Sequence, residues 1–172
     1  MTDPTVAIRT DRDDGLRQLF ESQYHALVRL ACLLLDDRGL GEEIVQDAFV
    51  KLHGSWDRIA DPAAAPAYLR STVLNLARSR MRRRLVARKH EPVALPPTAS
   101  AEERVMLRED QAEVLNALRA LPTRQRECLA LRYYFELSEA EIAAVLAISA
   151  GSVKTHTHRG RNALAEKLEN LR

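Results

Sequence analysis

Aromatic side chains are scarce in this chain, at 5% of its 172 residues, and glycine occurs at 6 positions, tryptophan at one and cysteine at two. Few aromatics and a surplus of Ala, Leu, Arg and Glu disfavour sheets and favour helices, so the expected fold class is all-α. No run approaches the roughly 20 apolar residues of a membrane span. The first dozen residues, Met1 to Arg12, alternate acidic and basic side chains without an apolar signal core, and a cytoplasmic protein is expected. Cys32 and Cys128 sit in apolar helical patterns without Cys-x-x-Cys or Cys/His spacing, which leaves them as reduced core thiols. His156 and His158, two apart on a helix, point to different sides and cannot clamp one ion, so neither a metal nor a cofactor is expected. A glycine-rich phosphate loop, a Gly-x-Ser-x-Gly elbow, a His-Glu-x-x-His pair and convergent acids are all missing, and an enzyme is not the expected role.

Apolar material is sufficient, at 46% of the chain against 29% charged residues, for a packed core. The formal net charge of +2 hides a strong asymmetry. Residues 1–69 carry 7 Lys/Arg against 12 Asp/Glu, whereas residues 70–90 carry 8 Lys/Arg and no acid. Such a basic block is a candidate polyanion site, because each phosphate it neutralises releases condensed counterions; a solvated helix face would look the same by charge alone. The stretch VARKHEPVALPPTASAEE, Val86 to Glu103, contains Pro92, Pro96 and Pro97 and has no helical apolar period, so it reads as an extended linker. Two small helical domains are therefore expected: residues 10–88, a linker at 89–103, and residues 104–172.

In the first domain Leu16, Leu19, Phe20, Leu27, Leu30, Ala31 and Leu34 recur at helical spacing, and Gly39 with Gly41 is expected to end that segment near Asp36. Ile44, Val45, Ala48, Phe49 and Leu52 form the next stripe, broken at Gly54. The loop GSWDRIADPAAAP leads to Pro66 at the first turn of a third helix, which carries Leu69, Val73, Leu76 and Ala77 into the basic block. In the second domain a helix with Leu107, Val114, Leu115 and Leu118 stops at Leu121-Pro122. Thr123 is placed to cap the next helix, expected to run to about Phe135. Ser138 and Glu141 make a capping box for a short helix with Ile142, Val145 and Leu146. After the turn Ala147-Ile148-Ser149, Val153, Thr157, Gly160, Leu164, Leu168 and Leu171 line one stripe of the last helix. Two helices joined by so short a turn suggest a helix-turn-helix.

The helix faces then assign chemistry. Opposite Val153 and Leu164, the last helix presents Lys154, Thr155, His158, Arg159 and Asn162, side chains able to bond base edges and phosphates in a major groove. Ser152 belongs to the same candidate duplex-binding set. Opposite Leu69, Val73 and Leu76, the third helix presents Ser71, Asn75, Arg78 and Arg82 on one ridge, continued by Arg80, Arg83 and Arg84, suited to a phosphate backbone and a few bases. Trp56 and Tyr68 can stack on an unpaired base; a hydrophobic plug for the loop is the alternative for Trp56. The outer face of the second helix, Glu43, Gln46, Asp47 and Val50, is acidic and partly apolar, which repels DNA and fits a basic protein partner; a plain solvated acidic face is the alternative.

These segments together resemble the extracytoplasmic-function (group IV) RNA polymerase sigma factors of the sigma-70 family. Leu19-Phe20 with Tyr24, EEIVQDAFVKLH (Glu42 to His53), AYLRSTVLNLARSRMRRR (Ala67 to Arg84) and LPTRQRECLALRYYFELSEAEIAAVLAISAGSVKTHTHRGRNAL (Leu121 to Leu164) match the family pattern in order. The short length and the Ala/Arg/Leu bias are similar to its small SigE-like branch. The resemblance implies a sigma-2 domain, a linker and a sigma-4 domain assembled on core RNA polymerase. It implies that Glu43, Gln46, Asp47 and Val50 dock on the β′ clamp helices. Trp56, Tyr68, Ser71, Asn75, Arg78, Arg82 and Arg83 would open and read the −10 region. The sigma-4 domain would pack on the β-flap and read the −35 duplex through its last helix, with Arg124 and Arg126 on phosphates. It further implies promoter DNA as a partner, an anti-sigma protein as another, and a monomer when free. Three positions depart from the pattern: Ala147 stands where glycine is common, His156 where arginine is usual and Tyr68 where tryptophan is common. A stand-alone helix-turn-helix regulator is the competing expectation, and it requires a dimer and palindromic sites.

Overall fold

The computed structural model describes residues 4–90 and 109–170, with side chains described for 12–87 and 111–170. Among the described residues there is no strand. Three helices build the N-terminal unit: α1 (Pro4–Leu35), α2 (Arg38–Ser55) and α3 (Ala65–His90), with short 3-10 turns at Trp56–Arg58 and Pro62–Ala64 before α3. The C-terminal unit holds α4 (Glu109–Arg119), α5 (Thr123–Leu129), a π-helical turn (Ala130–Tyr134), α6 (Glu139–Leu146) and α7 (Ala150–Glu169). Leu107, Leu171 and the expected linker from residue 91 onward lie outside the described residues.

Several boundaries differ from expectation for identifiable reasons. The chain does leave α1 at Leu35, through Asp36 in the left-handed region at φ 51°. Gly39 and Gly41, however, do not form the break but lie inside α2, because Asp37 caps that helix, its carboxylate accepting from the Leu40 N–H at 2.9 Å. Gly41 is instead a crossing point. A Cβ there would lie 2.9 Å from Cys32 Sγ and 3.3 Å from Cys32 N on α1. Gly54 is likewise inside α2, which ends at Ser55. Helix α3 continues to His90, so 86–90, expected as the start of the linker, are helical; no proline interrupts these helix formers before Pro92. Pro122, rather than Thr123, is the N-cap of α5, without a side-chain cap bond. Beyond Leu129 the helix widens into the π turn, with Phe135 N–H reaching Ala130 O at 3.3 Å.

The two units share one core. Leu27, Leu30, Val45, Leu52, Leu69, Val73 and Leu74 from the first belong to the same buried cluster as Cys128, Leu131, Ile142, Leu146 and Val153 from the second. Each fully buried Leu or Ile stabilises by roughly 1.5–3 kcal/mol relative to exposure, so the joint between the units is a substantial interface. The Cys128 thiol is fully buried, and burial, with Glu127 beside it, pushes its pKa up to about 11 against the opposing Arg124, which keeps it protonated.

Replacing Gly41 with Ala forces α1 and α2 apart at Cys32, and we expect a loss of about 1–3 kcal/mol in denaturant unfolding. Asp37 has its pKa lowered, chiefly by the Leu40 N–H and further by Arg84, against the effect of burial. Its contribution is therefore present above the ordinary aspartate pKa and is lost as pH falls through the lower folded value. Asp37→Asn keeps a capping oxygen without the charge. It should melt lower than the parent at pH 7, with the gap closing as the solution is acidified below the aspartate range.

Candidate nucleic-acid interface

The helix-turn-helix forms as expected. Ser138 Oγ accepts from the Glu141 N–H at 3.2 Å while Glu141 Oε2 accepts from the Ser138 N–H at 2.8 Å and its hydroxyl at 2.7 Å, completing the capping box. Those Ser138 bonds, the side-chain one foremost, hold the Glu141 carboxyl below its ordinary pKa. At the turn Ala147 has φ 53° and ψ 48°, the left-handed conformation that favours glycine. Ala147, expected to be unusual at this turn, thus holds a glycine-like backbone at a cost. The next helix starts at once, because Ser149 caps α7 by accepting from the Ser152 N–H at 3.1 Å.

Helix α7 packs by its Val153 and Gly160 side, both buried. A Cβ on Gly160 would meet Gln125 Cβ and Leu129 Cδ1 at 3.1 Å, so glycine sets the close approach of α7 to α5. The opposite face is open: Lys154, Thr155, His158, Arg159 and Asn162 are all exposed. Thr155 Oγ1 donates to Gly151 O at 2.9 Å, and the half-buried Ser152 hydroxyl lies 2.8 Å from Ser149 Oγ, so Ser152 belongs to the cap rather than to the open face.

The ridge on α3 is less open. Asn75, Arg82 and Arg83 are exposed, and Ser71 is half-buried. Arg78 is drawn inward, its side chain 20% exposed, and donates from Nε to Glu127 Oε1 at 2.7 Å and from Nη2 to Glu127 Oε2 at 3.3 Å. Its Nη1 donates to Asn75 Oδ1 at 2.9 Å, tying the two expected base-reading residues together. Arg80 pairs with Glu43 at 3.3 Å and Arg84 with Asp37 at 2.9 Å, so these two brace α3 against α2. Trp56 is half-buried with its ring against Gly15 of α1, where a Cβ would lie 3.0 Å from Trp56 Cζ2. The hydrophobic-plug alternative describes that contact. Tyr68 is half-buried and donates to Ser55 Oγ at 3.4 Å.

On α2, Gln46, Asp47 and Val50 form an exposed strip, with Val50 70% exposed. Glu43 borders it and is held by Arg80. Beside the strip Phe20 stacks on Tyr24 at 4.5 Å and meets Phe49 edge-on at 5.2 Å, leaving an aromatic patch at the joint of α1 and α2.

The joint between the two units uses Arg70 and Leu74, which the helix-face argument did not assign, together with Arg78, which it assigned to DNA. Arg70, Leu74 and Arg78 fall on one i, i+4, i+8 row of α3. Arg70 lies over the Phe135 ring at 5.6 Å, Leu74 is fully buried, and Arg78 meets Glu127. Arg124, expected on a phosphate, donates to the same Glu127 at 3.2 Å. Arg126, also expected on a phosphate, is turned inward in this structure. It donates to Leu33 O at 3.2 Å and Leu121 O at 3.0 Å, satisfying a carbonyl in the last turn of α1. Burial lowers the Arg70 and Arg126 pKa values. Arg119 pairs with Asp36 at 3.0 Å, and Arg29 donates to Tyr134 Oη at 3.3 Å. The one signal in the sequence was Leu74, an apolar residue off the stripe of Leu69, Val73 and Leu76.

Comparison with known proteins agrees with this geometry. Residues 19–85 match the family described as Sigma-70 region 2, and residues 111–164 match Sigma-70, region 4. The chain is 37% identical over 146 residues to the RNA polymerase sigma-E factor of Streptomyces avermitilis, covering 84% of this chain and 79% of that one. It is 33% identical to the sigma-E factor of Streptomyces coelicolor, covering 83% and 80%. Among solved structures, the sigma factor RpoE in complex with the anti-sigma factor NepR from Bartonella quintana aligns with a TM-score of 0.71 and 26% identity, over 89% of this chain and 96% of that one. CnrH in complex with the cytosolic domain of CnrY aligns with a TM-score of 0.69 and 26% identity, over 90% and 88%. With regions 2 and 4 in the expected order on a helix-turn-helix and a basic α3, the chain belongs to the extracytoplasmic-function sigma factors of the sigma-70 family, which direct promoter-specific transcription.

Proposed function

We propose that the protein works as a two-headed promoter reader held on core RNA polymerase, with residues 10–88 as the sigma-2 domain, 89–103 as linker and 104–172 as the sigma-4 domain. The exposed row on α7 supports this reading most directly: Lys154, Thr155, His158, Arg159 and Asn162 face outward along the first four turns of the second helix of a capped helix-turn-helix. This row takes the −35 duplex in the major groove, with Arg124 on an adjacent phosphate. Asn75, Arg78, Arg82 and Arg83, with Ser71 and Tyr68, take the −10 strand, and Trp56 supports the loop from α1 rather than stacking on a base. The exposed Gln46, Asp47 and Val50 strip, bordered by Glu43 and the Phe20 aromatic patch, docks on the β′ clamp helices, where an acidic and apolar surface meets a basic helical one. The sigma-4 domain sits on the β-flap.

The catalytic chemistry belongs to polymerase and this subunit is not itself an enzyme. Among the described residues no helix is long and apolar enough to cross a membrane, which suits work beside polymerase in the cytoplasm. The solved neighbour RpoE is bound to the anti-sigma factor NepR, and the same kind of partner suits this chain. Each DNA-reading surface alone is small. Docking on polymerase fixes their spacing and turns two weak contacts into one tight one through effective concentration.

Run-off transcription with purified protein, sigma-free core polymerase and fragmented host DNA tests the reading. Starts sharing a −35 and a −10 motif at one fixed spacing are expected, whereas a protein that shifts a promoter duplex tightly without polymerase would be a stand-alone regulator. Asn75→Ala and Arg78→Ala should each lower open-complex formation about tenfold or more while polymerase binding is retained. Ala147→Gly relieves a left-handed alanine and should stabilise the helix-turn-helix by about 0.5–1 kcal/mol in thermal unfolding.

A further inference from the structure

Among the described residues Glu127 is the one charged side chain that is fully buried. Its two oxygens are held by arginines from both DNA-reading units: Arg78 on α3 at 2.7 Å and 3.3 Å, and Arg124 on α5 at 3.2 Å. A carboxylate taking a planar guanidinium through two oxygens presents the geometry and charge that a DNA phosphate would present. We infer that Glu127 acts as an internal phosphate mimic: it occupies Arg78 and Arg124 together, latches the sigma-4 unit over the −10 face of α3, and keeps that face of the free chain from engaging DNA. The inference rests on the DNA-reading roles proposed for those two arginines.

The surroundings of the pair fit a latch. Leu74, one turn from Arg78 on the same row, is fully buried and belongs to the apolar cluster that the two units share. Around the rim, Arg119 meets Asp36 at 3.0 Å, Arg70 covers the Phe135 ring, and Arg126 reaches the last turn of α1. The rim contacts are polar and partly exposed, whereas the apolar core beneath them keeps the joint closed until a partner with binding energy of its own takes either side. The exposed α7 row and the Gln46, Asp47 and Val50 strip lie outside the joint. Polymerase can therefore take hold of the closed chain and draw the units apart, releasing Arg78 and Arg124 to phosphates as the promoter arrives.

The test uses the full chain without polymerase, a fluorescent mixed-sequence single-stranded DNA 12-mer, and small-angle scattering of the same samples. Glu127→Gln removes the mimic. It should expand the chain and tighten binding about tenfold, because the apparent affinity rises with the fraction of open molecules. The salt dependence should steepen by about 1.4 in log–log slope for two newly available arginines. Arg119→Glu provides the second arm and leaves Glu127, Arg78 and Arg124 in place. It places a like charge against Asp36, makes the protein more acidic by two charges, and should nevertheless tighten DNA binding while expanding the chain.

Weaker binding by Arg119→Glu with an expanded chain would show that net charge, not the latch, governs DNA affinity, and would overturn the inference. Unchanged scattering in both variants would overturn it as well. Should Glu127→Gln fail to fold by circular dichroism, Arg119→Glu decides alone. Normal polymerase-dependent run-off by a variant that fails these tests leaves the sigma function standing and removes only the latch. Loss of run-off by the parent protein would instead remove the function on which the latch depends.

Discussion

Helix α3 has to satisfy two neighbours at once, and the rest of the molecule is arranged around that constraint. One side, Leu69, Val73 and Ala77, closes the core of the N-terminal unit. The adjacent row, Arg70, Leu74 and Arg78, meets the C-terminal unit through Phe135 and Glu127. A helix that is apolar on one side and basic on the next can close a core and meet a polyanion, but its arginines need counter-charges while no polyanion is present. Glu43, Asp37 and Glu127 supply them to Arg80, Arg84 and Arg78.

These pairs differ physically. Arg80 with Glu43 is largely exposed, and a pair of that kind contributes little to stability. Arg78 with Glu127 is a desolvated, two-oxygen contact in which removing either partner strands a buried charge. An ion pair of the second kind adds less to net stability than to the choice of arrangement. It specifies which face of the C-terminal unit meets α3, and it holds the two units in register while the apolar contacts around Leu74 supply the area.

The helix-turn-helix shows the same division between local and distant causes. Its caps and turn are local chemistry: Ser138 with Glu141, Ser149 with the Ser152 N–H, and an alanine forced to positive φ at the turn. Its depth of packing is not local, because Gly160 lets α7 approach Gln125 and Leu129 on α5, some thirty residues earlier in the chain. The open row on α7 follows from both, since the caps set where α7 begins and the glycine sets which side it turns inward.

What was legible in the sequence was whatever short-range chemistry dictates. Helical periodicity, the Ser138–Glu141 capping box, Pro66 in the first turn of α3 and the basic block each depend on residues a few positions apart, and each is found in the structure. The α1–α2 break falls at Asp36 as expected, but its cause is the Asp37 cap, with an arginine from α3 behind it, rather than the two glycines, which lie inside α2. What only the tertiary structure decided is the joint between the units. Nothing within a helical turn of Glu127 or Arg126 distinguishes a buried side chain from a phosphate contact, since the partners that decide it, Arg78 and Leu33 O, lie 49 and 93 residues away. Sequence determined the surfaces that this protein can offer to DNA and to polymerase; packing determined which of them are open in the free chain, because burial depends on neighbours that the chain brings together only when it folds.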